Sequence, residues 1–241
     1  MMEAIILAGG LGTRLRAVVP ELPKPMAPIN DRPFLAFVLD ALVAAGFETV
    51  VLAVGHKGEA IREHFGSVYR SLALRYSVET EPLGTGGAIR FALEQTQAPQ
   101  VFVLNGDTYL DLDYRAMLGA HLREGANLSV AVQGVPDTGR YGALDIEDGR
   151  IKGFFEKGRA GAGVINAGVY LLARNLLDRY RLPSVFSFEA DFLMPHVREI
   201  SPLAFEARGV FIDIGVPDDY LRAQELLGST LAPHGITGGT R

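Results

Sequence analysis

The stretch Ala4-Ile5-Ile6-Leu7-Ala8-Gly9-Gly10-Leu11-Gly12-Thr13-Arg14-Leu15 decides how the rest of the chain is read. Consecutive apolar residues end in two glycines, the pattern of a short buried strand that gives way to a loop. Glycine permits positive φ and close backbone approach, so successive N–H groups here can converge on phosphate oxygens. The same residues also suit a plain strand-to-helix turn. Two familiar phosphate loops fail against them. A dinucleotide fingerprint running from Gly10 needs Gly or Ala where Leu15 stands, which disfavours a nicotinamide-dependent dehydrogenase; a P-loop ends in Gly-Lys-Ser/Thr, and the chain has no such ending here. The glycines lead instead to Arg14 and then to Pro23-Lys24-Pro25. Two cations beside a glycine loop suit the β- and γ-phosphates of a triphosphate. Arg14 can fork across two oxygens, and Lys24 is a point charge on a segment stiffened by proline.

Outward from this loop the first half alternates strands and helices. Ala4–Ala8, Thr49–Val54, Leu72–Val78 and Val101–Leu104 read as strands, and Pro33–Ala45, Lys57–Phe65 and Gly86–Thr96 as helices. That alternation predicts an α/β fold, a Rossmann-like, mixed but mainly parallel sheet flanked by helices. In such sheets ligands bind at the carboxyl ends of the strands, which is where Gly9, Glu81 and Asp107 fall. The second half is more β-rich. Asn127–Val135, Tyr141–Ile146, Ile151–Phe155 and Val164–Leu172 read as strands, Asp148-Gly149 as a hairpin turn, and Phe188–His196 and Pro217–Leu227 as helices. No linker separates the halves. The expectation is one domain over 1–227, its nucleotide-binding half covering about 1–110 and a sugar-binding half about 111–227, with a Gly/Thr/Pro-rich tail at 228–241.

Composition narrows the partners. A formal charge of −5 over 241 residues offers no basic field for nucleic acid or an anionic membrane. There is no cysteine, so disulfides, thiol catalysis and Cys-ligated zinc drop out and a cytoplasmic home is expected. Met1–Ala8 is too short and lacks the basic flank of a signal peptide. No apolar run reaches the ~20 residues that span a bilayer. The five histidines, at 56, 64, 121, 196 and 234, have no metal-like spacing.

Leu7–Leu15 with Pro23-Lys24-Pro25-Met26 resembles the signature of the sugar-1-phosphate nucleotidyltransferases. The resemblance continues through Glu81–Ala88, Asn105-Gly106-Asp107, Glu156-Lys157, Asn166-Ala167-Gly168 and Phe211–Gly215, and covers residues 3 to about 227. Pro25–Asn30 and Phe186–Glu189 most resemble the branch that guanylylates heptose 1-phosphates. The resemblance implies attack by a sugar phosphate oxygen on the α-phosphorus of a nucleoside triphosphate, with pyrophosphate leaving. The nucleophile's second pKa is about 6, so it is already largely ionised and needs no catalytic base. The protein must align two anions and screen their repulsion.

The family pattern then assigns roles residue by residue. Asp107 and Asp213 match the metal ligands and would hold one Mg²⁺, a cation that takes hard oxygen ligands; Asp213 in its apolar run could also be a paired structural carboxylate. Arg14, Lys24, Asp107 and Lys157 form the catalytic set. The nucleotide would lie on Leu7, Ala8, Gly9, Gly10, Gly12, Thr13, Glu81, Gly86 and Asp107. Small residues at 83–88 would let base and ribose approach the backbone, or simply cap a helix. Glu81 can accept from both guanine N1–H and its 2-amino group, a donor pair that uracil and thymine lack, so the expected donor is GTP. The sugar phosphate would meet Tyr141, Gly142, Glu156, Lys157, Asn166, Gly168 and Glu189. Plainer readings exist for several of these: a hairpin aromatic at Tyr141, a surface ion pair at Glu156-Lys157, and a dipole-favoured acid at Glu189. The rival acceptors are mannose 1-phosphate with GTP and other sugar phosphates with dTTP or UTP. A nucleotide-sugar-sensing regulatory subunit would be expected to lack some of Arg14, Lys24, Asp107 and Asp213, and all four are present. A homo-oligomer is compatible with this composition and these motifs.

Overall fold

Strand β1 (Glu3–Leu7) lies in the interior of a ten-stranded sheet, where Ala4–Ile6 are apolar and buried on both faces. Ile6 packs into a core with Leu52, Phe102 and Leu104, while Ile5, one residue away, packs into a second core with Val51, Val101 and Val103. The period-two alternation of a strand thus feeds two hydrophobic layers, one on each side of the sheet. The computed structural model describes residues 1–10, 22–55, 57–155, 158 and 161–230.

In chain order the elements are β1, β2 (Pro28–Ile29), β3 (Arg32–Pro33), α1 (Phe34–Ala45), β4 (Thr49–Val54), α2 (Gly58–Phe65), β5 (Val68–Tyr69), β6 (Leu72–Val78) and α3 (Gly84–Leu93), then β7 (Gln100–Asn105), β8 (Thr108–Leu110), α4 (Tyr114–Arg123), β9 (Leu128–Val135), β10 (Leu144–Glu147), β11 (Arg150–Phe154), β12 (Gly163–Ala173), α5 (Met194–Ile200), β13 (Leu203–Ala207), β14 (Phe211–Asp213) and α6 (Pro217–Thr230). The main sheet runs β10-β11-β13-β9-β12-β7-β1-β4-β6-β5. Tracing the pairings, only β5, β11 and β12 oppose the common strand direction, so the sheet is mixed but mainly parallel. Both halves of the chain share this sheet, β12 joining β9 to β7.

Local chemistry explains most boundaries. Helix α1 starts after Pro33 and stops at Gly46, whose φ of +84° lets its N–H reach the Leu42 carbonyl. Asp148 and Gly149 both have positive φ, as a two-residue primed turn between β10 and β11 requires. Several expectations need correction. Strand β10 begins at Leu144, not Tyr141, because Thr138–Gly142 folds into a turn closed by the Gly142 N–H on the Thr138 carbonyl. The helix expected at 188–196 opens with a π-helical stretch, Phe188–Leu193, and continues as α5 to Ile200. The closing helix α6 runs to Thr230, three residues into the expected tail. Helix α4, β8, β13 and β14 were not foreseen. Asp113 caps α4 by accepting from the Ala116 amide at 2.9 Å, and Tyr114 completes an edge-to-face aromatic trio with Phe47 and Phe102.

Candidate active site

Register delivers the first acid. Leu7 pairs with Asn105 across the parallel β1–β7 seam, so Gly9 and Asp107 leave the sheet at the same edge. The Gly106 amide donates to the Leu7 carbonyl at 2.9 Å. A Cβ on Gly106 would lie 2.5 Å from that oxygen, so only glycine allows the two strand ends to close up. The second acid arrives from far down the chain. Strand β14 pairs antiparallel with β8 so that Asp213 faces Thr108, and the Ile214 amide donates to the Asp107 carbonyl at 3.0 Å.

Lys24 completes the cluster. It sits in a 3₁₀ turn over Lys24–Met26 whose Pro25 and Met26 are buried, which fixes the base of the side chain. Its Nζ lies 2.6 Å from Asp107 Oδ2 and 4.0 Å from Asp213 Oδ1. The sequence assigned Lys24 to phosphate; here its charge bridges the two carboxylates. Burial, and then the neighbouring charge of Asp107, raise the Asp213 pKa; Lys24 and the Gly215 amide oppose that rise. One ammonium serves both carboxylates of the pair. Among the described residues no group of three or more His, Asp or Glu surrounds it, so an all-protein cage is not what these residues offer. Two carboxylates at an open edge instead suit a cation that keeps waters and shares substrate phosphates, which is the habit of Mg²⁺.

One flank of this centre is a cavity of about 350 Å³ at the carboxyl ends of β1, β4 and β6. Gly9, Gly55, Arg62, Tyr76, Glu79 and Glu81 are among its walls. Ala8 is buried with its amide on the Ala53 carbonyl, and Gly9 and Gly10 are exposed. Glu79 was missed from the sequence. It is the first residue past β6, and its Oε2 accepts from the Leu83 amide at 2.9 Å. The glycines of α3 have a different task from the one expected. A Cβ on Gly86 would strike the Phe186 ring at 2.1 Å, and one on Gly87 the Ser184 carbonyl at 2.6 Å. The Gly86 amide already donates to the Phe186 carbonyl. At Gly86 the close approach is therefore between two segments of protein, not between backbone and base, whereas Glu81, Gly84 and Thr85 remain exposed.

The other flank is built by side chains. Val169 pairs with Leu104, which sets Gly168 opposite Asn105. Gly168 has φ +72°, and a Cβ there would lie 2.7 Å from Asn105 Nδ2. The β12–β9 pairing is interrupted between Asn166 and Tyr170. Asn166 Nδ2 donates to the Tyr170 hydroxyl at 2.8 Å and to Glu189 Oε1 at 3.0 Å, and the Tyr170 hydroxyl donates to the same Glu189 oxygen. Burial and the adjacent Glu189 raise the Tyr170 pKa well above its ordinary value, so the phenol stays protonated. Phe188, next to Glu189, is tied by its amide to Thr85 Oγ1 at 2.9 Å. Tyr141 packs edge-to-face on Phe211 of β14, beneath Arg140, and Gly142 has φ +81°. Gly12, Thr13, Arg14, Glu156 and Lys157 lie outside the described residues.

Comparison with known proteins finds relatives along nearly the whole chain and the same fold. A family model for nucleotidyl transferases matches residues 3–230. A D-glycero-alpha-D-manno-heptose 1-phosphate guanylyltransferase of Aneurinibacillus thermoaerophilus is 44% identical over 94% of this chain and 98% of its own. A protein of the same name from Campylobacter jejuni is 42% identical over 91% of this chain and 97% of its own. The crystal structure of HddC from Yersinia pseudotuberculosis, also solved in complex with GMP-PN, superposes with a TM-score of 0.84 at 39% identity, covering 94% of this chain and all of that one.

Proposed function

The chain belongs to the nucleotidyl transferase family, and from that premise we propose that it transfers the guanylyl group of GTP to D-glycero-alpha-D-manno-heptose 1-phosphate, releasing pyrophosphate. The observation that carries this reading is the Asp107–Lys24–Asp213 cluster, set between a cavity on one side and the Asn166–Tyr170–Glu189 network on the other. The relatives named as heptose 1-phosphate guanylyltransferases share nearly the full length of the chain, which supports both substrates. The product would be an activated sugar for surface polysaccharide. No helix among the described residues is long and apolar enough to cross a membrane, which is compatible with work in the cytoplasm.

In this mechanism an oxygen of the sugar 1-phosphate forms a bond to the α-phosphorus of GTP. The bond between that phosphorus and the α–β bridging oxygen breaks, and its electron pair leaves with pyrophosphate. The first half of the chain binds the nucleotide and the second half the sugar. Leu7, Ala8, Gly9 and Gly10, with Gly12, Thr13 and Arg14, cradle the triphosphate. Glu81 reads guanine at the cavity mouth, and Lys157, beside Glu156, neutralises the incoming phosphate. Asp107 and Asp213 would hold Mg²⁺, which would supply positive charge to offset the charge that develops on the phosphates. Lys24 then exchanges its carboxylate contacts for phosphate oxygens. Tyr141, Gly142, Asn166, Gly168 and Glu189 shape the sugar side.

The test is a pyrophosphate-release assay with Mg²⁺, pairing GTP, ATP, UTP and dTTP in turn with the heptose 1-phosphate, mannose 1-phosphate and glucose 1-phosphate. The expected result is the highest kcat/KM for GTP with the heptose. A higher value for mannose 1-phosphate overturns the acceptor; a higher value for dTTP or UTP overturns the base.

A further inference from the structure

Helix α6 starts at Pro217, just past Asp213, and is fastened to two other parts of the molecule. Its middle holds the hairpin that follows Lys24. The Tyr220 hydroxyl donates to the Pro28 carbonyl at 2.5 Å, and Gln224 Nε2 donates to the same oxygen at 2.7 Å. Asn30 returns two bonds, its amide to Gln224 Oε1 at 2.9 Å and its Nδ2 to the Gln224 carbonyl at 2.7 Å. The first turn of α6 holds a third segment. Asp219 Oδ2 lies 2.7 Å from Nη2 of Arg140, a residue of the turn that precedes β10. The Asp219 side chain is 13% exposed and that of Arg140 47%. Asp219 Oδ2 itself is out of water and, among the described residues, has no donor aligned for a hydrogen bond, so the guanidinium is what offsets its charge.

The turn that carries Arg140 is well braced. Asp137 Oδ1 accepts from the Gly139 amide at 3.0 Å and from the Gly161 amide at 3.3 Å. The Thr138 carbonyl accepts from the Tyr141 and Gly142 amides. Arg140 lies over the Tyr141 ring, 5.1 Å from its centre, and Tyr141 packs on Phe211 at 5.7 Å between ring centres. The turn therefore grips the chain on both sides of Asp213, at Phe211 before it and at Asp219 after it. Between these grips the Gly215 amide donates back to Asp213 Oδ1 at 2.8 Å. Burial and Asp107 do most to raise the Asp213 pKa, and Asp219 adds to that rise, so the charge of Asp219 is felt at the acidic centre.

We propose that Arg140 and Asp219 form a latch that holds Asp213 in place for its cation, and that Arg140 is a positioning residue and not a ligand of either substrate. This rests on the proposed reaction and on the place given to Mg²⁺ within it. Strand β14 spans only Phe211–Asp213 and pairs only with β8, so it fixes the chain before Asp213 but not after it. The ion pair supplies the second hold, by seating the start of α6 against the braced turn. A carboxylate whose segment is held at both ends loses little freedom when a ligand arrives. The same guanidinium could serve differently, by meeting the phosphate of the acceptor. A third effect is the bare field: removing a positive charge near a cation site tightens cation binding. The latch predicts the opposite sign, because Asp213 loses its hold when Arg140 is removed.

The test is Mn²⁺ affinity, read by EPR on the full chain with α,β-methylene GTP, which cannot release pyrophosphate, and with no sugar phosphate present. Thermal melts accompany every variant. Arg140→Gln is expected to weaken Mn²⁺ binding by about fivefold, the scale of one partly exposed ion pair. In turnover it should lower kcat while the KM for the sugar 1-phosphate stays within about twofold of wild type. Arg140→Lys, which keeps a cation beside Asp219, should recover most of the loss. In an Asp219→Asn background Arg140→Gln should add nothing, because the latch is already open. Unchanged or tighter Mn²⁺ binding in a folded Arg140→Gln overturns the proposal. So does a sugar KM that rises equally with and without Asp219, which would make Arg140 a phosphate ligand. Should Arg140→Gln fail to fold, Asp219→Glu replaces it. There the charge is kept and only the fit is lost, so Mn²⁺ must still bind more weakly, and unchanged binding overturns the proposal. A wild-type chain that releases no pyrophosphate from any sugar 1-phosphate refutes the proposed reaction and this inference together, whereas normal Mn²⁺ binding by the variants of an active enzyme refutes the latch alone.

Discussion

The two flanks of the Asp107–Lys24–Asp213 cluster are built by different means. The flank proposed to hold the nucleotide is assembled by backbone: parallel register between β1, β4, β6 and β7 sets the strand ends side by side, and glycines at 9 and 106 let them approach. The flank proposed to hold the sugar is assembled by side chains from distant segments, with Asn166, Tyr170 and Glu189 meeting over a break in β12–β9 pairing. A flank made of backbone tolerates changes of side chain but not of register. A flank made of side chains is tuned one substitution at a time, and so it is where related enzymes can diverge in acceptor while keeping the phosphate chemistry.

The largest effect that probes this contrast lies at the shared centre. Asp107→Asn removes charge that both flanks depend on, and kcat is expected to fall by ~10²–10³-fold or more with either substrate saturating. A cooperative melt near that of wild type would show that the fold persists; retention of more than about a tenth of the activity would remove Asp107 from the centre.

The seam between the regions comes next. His121 is buried and bonded to Ser129 of β9 at 2.8 Å and to Gln100 of β7 at 3.0 Å. Burial, and secondarily Arg150, lower its pKa from 6.5 to about 4. The folded state therefore binds fewer protons than the unfolded one in that window. His121 costs nothing above pH 6.5, and stability is lost as pH falls from 6.5 towards 4, by on the order of 3 kcal/mol at the acid end. Urea melts from pH 7.5 to 4.5 should show that decline. A His121→Gln variant with an identical slope would assign the loss elsewhere.

Backbone dependence is tested by paired glycine substitutions. Gly106→Ala places a Cβ against the Leu7 carbonyl, which cannot yield, whereas Gly168→Ala meets the movable side chain of Asn105 but must also hold φ +72°. Both are expected to lose roughly 1–3 kcal/mol in denaturant melts. Gly106→Ala should raise KM for GTP more than for the sugar, and Gly168→Ala the reverse. Equal changes in both constants would dissolve the distinction between the flanks.

A smaller effect is expected at Glu81. Glu81→Gln keeps one acceptor of a carboxylate that would take two guanine donors, so preference for GTP over ATP should drop by about tenfold. Unchanged preference would pass the role to Glu79, which lines the same cavity with one oxygen fixed by the Leu83 amide.

The legibility of the chain divides along the same line. The strands at 49–54 and 72–78 matched their expected limits because local apolar pattern specified them, and Asp107 was found because it ends such a strand. Features that depend on long-range contact were not legible. Strand β13 is a short parallel addition to β9, and its pairing partner lies about 70 residues earlier in the chain. Tyr141, expected to open a strand, instead follows the turn at Thr138 and packs its ring on Phe211. Gly86 was credited with making room for a base, and its room is filled by Phe186, about 100 residues away. Tyr170 carried no signal beyond being an aromatic in a strand; its role depends on Glu189 arriving from another element. Helix α4 was not inferred; the structure anchors it by burying Tyr114, Met117 and His121.

The most direct test of a centre that joins the two flanks is a single ³¹P NMR experiment on the wild-type protein with GTP, the heptose 1-phosphate and Mg²⁺. The predicted result is stoichiometric pyrophosphate together with the coupled diphosphate signals of a GDP-sugar, and return of GTP when excess pyrophosphate is added. Formation of GMP or GDP with free phosphate, and no sugar diphosphate, would contradict it.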